Sequence, residues 1–177
     1  LRPQQGEGRH PVFWGPEVGF ARALIAGGET DFAIIKTSRG GGGNGFWLKG
    51  SDDDHMYRHV VKTVHEAVRT LPAGRQYRIR AILYVQGESD SQAEAKAARD
   101  RLERLLTNLR KDLPNASDAR LLVGGIAAAG GHRDATRREQ AMAAHRNRAI
   151  EYVDNLDLRT QLYDGLHFNK EAKLTVG

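Results

Sequence analysis

The chain has 177 residues, 40% hydrophobic and 28% charged, which suits one folded domain with its own core and excludes wholesale disorder. It has no cysteine, so disulfides, thiolate catalysis and Cys-ligated metal centres are excluded. The net charge of +5 comes from 27 basic and 22 acidic residues that are interleaved along the chain, as in Arg99-Asp100-Arg101. That pattern points to a solvated, mildly basic surface and away from nucleic acid, and no apolar run is long enough to span a membrane.

From Leu1 to Pro16 the Pro/Gly-rich stretch predicts a loop, with Trp14 as a ring able to stack on a sugar or to pack. A helix is expected over Glu17–Ala26, stopped by Gly27-Gly28, and a short buried strand over Phe32–Lys36. The run Gly40 to Gly43 follows, with Phe46-Trp47-Leu48 fixing it to the body. Asp52-Asp53-Asp54 signals a helix start, since consecutive acids cannot all face one metal ion. The helix then runs from Met56 to Leu71, with Tyr57, Val60, Val61, Val64 and Val68 on its inner face.

Ile79–Val85 reads as the strongest strand, and Gln92–Leu113 as a long helix with Leu102, Leu105, Leu106 and Leu109 on its buried stripe. Leu121–Ile126 is a further strand, Arg137–Tyr152 a helix, Tyr152–Leu158 a last strand, and a short helix follows Asn169. Strands separated by helices of a dozen residues or more specify parallel pairing with right-handed crossovers. The expectation is a single α/β domain over residues 1–177, a three-layer α/β/α sandwich around a parallel sheet.

Ligands of such sheets bind beyond the carboxyl ends of the strands, where three segments converge. The glycine run lacks the Lys and Ser/Thr of a phosphate loop, so it offers backbone N–H groups or is simply a surface loop. In Gln86-Gly87-Glu88-Ser89-Asp90, the Gln amide can donate to an oxyanion, while Glu88 and Asp90 can hold a cation or cap the next helix. In Asp164-Gly165-Leu166-His167-Phe168-Asn169, an acid three residues before a histidine can orient it as a general base. His132, after Gly130-Gly131, either lines the cleft or has no role.

Together with Gly15-Pro16-Glu17 and with Lys36 followed by Gly40-Gly41, these blocks resemble the SGNH (GDSL-like) hydrolase superfamily. The nearest branch is that of the sialate O-acetylesterase and acetylxylan-esterase-like carbohydrate esterases. The resemblance implies a flavodoxin-like three-layer fold and hydrolysis of an O-acetylated carbohydrate through an acyl-serine, with no cofactor or metal. It implies that His167 is the base and Asp164 its orienting acid, with Gln86 and a backbone N–H of Gly40 or Gly41 in the oxyanion hole. Glu88, Asp90 and Trp47 then line or support the pocket.

The family's Gly-Gln-Ser-Asn nucleophile block does not occur; Ser38, Ser51, Ser89, Ser91 and Ser117 all lie in other contexts, and only Ser38 follows a strand. The resembled fold also has a first strand between those matching Phe32–Lys36 and Ile79–Val85. The chain is therefore expected to be incomplete at both ends, with the serine on a preceding or companion segment. The alternative expectation is an inactive carbohydrate-binding or interaction domain of the same fold, and a weaker one a nucleotide-binding protein using the glycine run. The compartment and the oligomeric state are left open.

Overall fold

The computed structural model describes residues 15–177. Trp14 and the stretch before it lie outside the described residues. Helix α1 spans Glu17–Ala26, α2 His55–Arg69, α3 Gln92–Asp112, α4 His132–Arg146 and α5 Lys170–Val176. Three strands, β1 (Ala81–Val85), β2 (Arg120–Gly124) and β3 (Ile150–Val153), form a sheet in the order β1-β2-β3. Both pairings are parallel, with Ala81 opposite Arg120 and Leu121 opposite Ile150.

Alternation along β1 turns successive side chains to opposite faces. Tyr84 joins the larger core, with Tyr57 and Val64 of α2, Leu102, Leu105, Leu106 and Leu109 of α3, and Ala143 of α4. Val85 packs into a smaller cluster on the other face with Leu158, Phe168 and Ala172. The sheet therefore lies between helical layers, the three-layer α/β/α arrangement expected. Behind α5 lies α1, held close because Gly19 has no side chain: a Cβ there would run into the Leu174 carbonyl. Among the described residues, no helix is long and apolar enough to cross a membrane.

The helix starts obey local chemistry. Ser91 caps α3 in a reciprocal box: its Oγ accepts from the Glu94 N–H at 3.3 Å, and Glu94 Oε2 accepts from the Ser91 N–H at 2.9 Å. Asn169 caps α5 by accepting from the Ala172 N–H at 2.9 Å.

Three expectations are corrected. The helix predicted to reach Tyr152 ends at Arg146, where Asn147 leaves helical geometry, so Ile150–Val153 is free to extend β2 as β3. The strand predicted to continue to Leu158 becomes a 3-10 turn over Leu156–Gln161. Phe32–Lys36 is no strand either: the segment has no ladder partner among the described residues. It is tied near its two ends, by Asp31 to Arg75 ahead of β1 and by Gly42 to Gln86 beyond it. It thus runs in the direction of β1 without pairing to it. Leu83 on β1 is 38% exposed, Phe32 37% and Ile35 40%, so apolar side chains lie open on both segments.

Candidate active site

The loop between Leu162 and Phe168, which pair as an isolated antiparallel bridge, folds tightly around Gly165, whose φ of +75° suits glycine. The Tyr163 N–H donates to the His167 carbonyl at 3.0 Å and closes the loop. Inside it, Asp164 Oδ1 accepts from the Leu166 N–H at 3.0 Å and the His167 N–H at 2.7 Å, while Oδ2 meets His167 Nδ1 at 2.6 Å. Burial raises the Asp164 carboxyl, but these three hydrogen bonds and the imidazole outweigh it and hold the group well below the ordinary carboxylate range. Asp164 stays ionised at neutral pH and fixes the imidazole with Nε2 turned away from it. Tyr163 stacks on the His167 ring with centroids 5.8 Å apart and 20° between planes.

The turn after β1 is set by Gly87, whose φ is +143° and whose missing Cβ makes room for Thr136. Gln86 lies just ahead of it. One amide hydrogen goes to Asp90 Oδ1 at 2.9 Å and the other to the Gly42 carbonyl at 3.1 Å, while its Oε1 accepts from the Tyr84 hydroxyl at 2.7 Å. Its backbone carbonyl accepts from Gln140 Nε2 at 2.8 Å. Both hydrogens expected to serve an oxyanion are thus engaged within the protein, the longer one with the glycine loop.

Asp90 is 1% exposed and lies at the centre of a buried network. It accepts from the Asn44 N–H at 2.8 Å, from Asn44 Nδ2 at 3.0 Å and from Gln86. Burial pushes its carboxyl up, against the pull of those donors. Asn44 Oδ1 in turn accepts from Arg101, and Glu94 Oε1 accepts from the Gly45 N–H at 3.2 Å. The run therefore ends in a clamped 3-10 turn over Asn44–Trp47, while Gly40 and Gly41 stay exposed with nothing within 4 Å of a Cβ built on either.

Glu88 projects from the same turn. Burial raises its carboxyl and nearby Asp90 adds to the rise; its own N–H, the His167 imidazole and the Gly87 N–H pull the other way. Arg133 Nε donates to its carbonyl at 3.2 Å. The structure thus brings His167, Asp164 and Glu88 together at the carboxyl end of β1, with Val85 and Phe168 sharing one apolar cluster beneath them. Asp90 sits inside the body as a strut. Trp47 packs against the core, edge-on to Tyr84 at 6.3 Å, and acts there as a support. His132 is the first residue of α4.

Glu17 and Lys36, noted only as parts of motifs, form an ion pair at 2.7 Å, and Glu17 Oε1 also accepts from the Gly15 N–H at 2.9 Å. Sequence reasoning did not single out Asn44, Thr136, Gln140 or Tyr163. The position of Asn44 at the end of the glycine run, and that of Tyr163 directly before Asp164, were the available signals. Among the described residues no group of three or more His, Asp or Glu is placed to hold a metal ion.

Residues 9–177 match the family described as carbohydrate esterase, sialic acid-specific acetylesterase. A protein of Arabidopsis thaliana, "Probable carbohydrate esterase At4g34215", is 32% identical over 168 residues, which cover 92% of this chain and 60% of that protein. The chain therefore spans less than two thirds of the length of this relative. The X-ray structure of the Arabidopsis AT4G34215 protein superposes with a TM-score of 0.76 at 28% identity, over 97% of this chain and 67% of that one. The layered fold, the order of the motif blocks and the match over nearly all the chain agree: this protein belongs to the sialic acid-specific acetylesterase family of carbohydrate esterases, with an SGNH-hydrolase-like architecture.

Proposed function

We propose that the chain carries the base and the oxyanion loop of a serine carbohydrate esterase that removes O-acetyl groups from a sugar. The observation that carries this reading is the Asp164–His167 pair, 2.6 Å apart, in a loop at the carboxyl end of a parallel sheet. The serine hydroxyl attacks the acetyl carbonyl while His167 Nε2 takes its proton. Collapse of the tetrahedral intermediate breaks the bond to the sugar oxygen, which receives that proton from His167. A water molecule then releases acetate from the acyl-serine by the same relay. Gln86 exchanges its 3.1 Å contact with Gly42 for the oxyanion, while its bond to Asp90 keeps the amide oriented. A backbone N–H of Gly40 or Gly41 supplies the second donor.

The nucleophile is assigned to a serine outside this sequence. Ser51 and Ser91 are committed elsewhere: Ser51 Oγ donates to the Gly45 carbonyl at 2.6 Å, and Ser91 caps α3. Among the described residues the outer edge of β1 has no ladder partner and neither has segment 32–36, which supports a further parallel strand between them. A residue just past the end of such a strand would stand beside Gln86 and the His167 loop.

The test is acetate release from O-acetylated sugars and activated acetyl esters by the full-length protein. His167→Ala should lower kcat/KM by about 10⁴-fold or more. Near-full turnover in that variant would remove His167 as the base. A full-length protein that binds carbohydrate but hydrolyses no ester would instead establish an inactive binding domain.

A further inference from the structure

We propose that Tyr163 is a positioning residue for His167, holding the imidazole plane on Asp164 and presenting its ring face to the imidazolium. Its part in turnover rests on the esterase reading above; its effect on the imidazole does not.

Tyr163 is 66% exposed, an unusual cost for a large ring unless its place matters. Among the described residues it belongs to neither apolar cluster. It is held by the His167 loop itself, through its N–H to the His167 carbonyl at 3.0 Å and the Leu162–Phe168 bridge beside it. The two rings are cross-loop neighbours, nearly parallel at 20° with centroids 5.8 Å apart. The Asp164 and His167 side chains are both partly open, at 37% and 47% exposure, so water alone would leave the ring free to turn about its χ2 bond. Stacking removes that freedom on one side, and the Asp164 bond to Nδ1 fixes the plane from the edge.

The electrostatic effect has the same direction. A cation near an aromatic face is favoured by the ring quadrupole. When His167 takes a proton, the charge forms beside the Tyr163 ring. The phenol is pushed up by burial and by the Asp164 carboxylate. Three other charges face this group: Asp164 from the same loop, Glu88 from the turn after β1, and Lys173 of α5, whose Nζ is 6.0 Å from the Tyr163 ring centroid. Lys36 and Glu17 stand behind Lys173.

The test is an NMR titration of the His167 imidazole in the full-length protein, comparing Tyr163→Phe with Tyr163→Leu. Phe keeps the ring and drops the hydroxyl; Leu keeps apolar cover and drops the ring. The imidazole of the Leu variant should titrate about half a unit below that of the Phe variant. In the full-length protein, Tyr163→Leu should lower kcat several-fold with KM little changed, shift the acid limb of the rate profile by the same half unit, and be rescued by Phe. Equal titration in the two variants overturns the proposal. So does a Tyr163→Trp variant that titrates as low as Leu. If the titrations separate while the full-length protein hydrolyses no ester, the esterase reading fails and the positioning of His167 stands.

Discussion

Asp90 grips Asn44 twice, by the backbone N–H at 2.8 Å and by the side-chain amide at 3.0 Å, and both residues are buried. The carboxylate offers only acceptors, and each donor aimed at it needs one. Asp90→Asn puts an NH₂ among those donors and leaves at least one buried N–H unpaired. The variant should lose about 1–3 kcal/mol of stability in urea unfolding. Amide exchange at residues 42–45 should speed up more than exchange in β2. Unchanged stability would mean that the glycine loop does not depend on this carboxylate.

Gly87 is fixed on two counts. Its φ of +143° disfavours any L side chain, and a Cβ would stand 2.7 Å from Thr136 Cγ2. Gly87→Ala should destabilise the protein by about 2 kcal/mol or more. It should also displace Gln86 and Glu88 together, read as paired chemical-shift changes in the turn and at His167. A silent substitution would show that the turn can relax without moving the site.

The Glu17–Lys36 pair predicts a dependence on acid. Burial raises the Glu17 carboxyl, but the Lys36 hydrogen bond and the Gly15 N–H outweigh it, and the folded group titrates below its unfolded value. Its stabilisation is therefore complete above about pH 4.3 and is lost as pH falls through the depressed folded value. Glu17→Gln should cost about 0.5–1 kcal/mol at pH 7, since both side chains are partly exposed. Thermal melts of the two proteins should converge below pH 4. A constant gap across that range would assign the effect to packing.

The helices were legible because their signals are local. The leucines of α3 repeat at helical spacing and are all buried, whereas its cap, expected at Glu88 or Asp90, lies at Ser91 with Glu94. The Asp164–His167 pairing was legible for the same reason, being contained in one short loop. Phe32–Lys36 has the composition of a strand, but pairing is a property of two segments and composition describes only one. The helix read through to Tyr152 failed where two states compete: Asn147 ends α4, and β2 recruits the residues beyond it. The engagement of both Gln86 hydrogens depends on Gly42 and Asp90, which only the folded turn brings within reach.

Gly19 sits on a helix that contributes no group to the chemistry, yet it sets how deeply α5 can seat. Asn169, which caps α5, is only two residues from His167. The seating of the loop that holds Asp164 and His167 is therefore tied to the thickness of one helix contact. A methyl group added at Gly19 would act as a shim between α1 and α5, and the displacement would reach the His167 loop through Asn169.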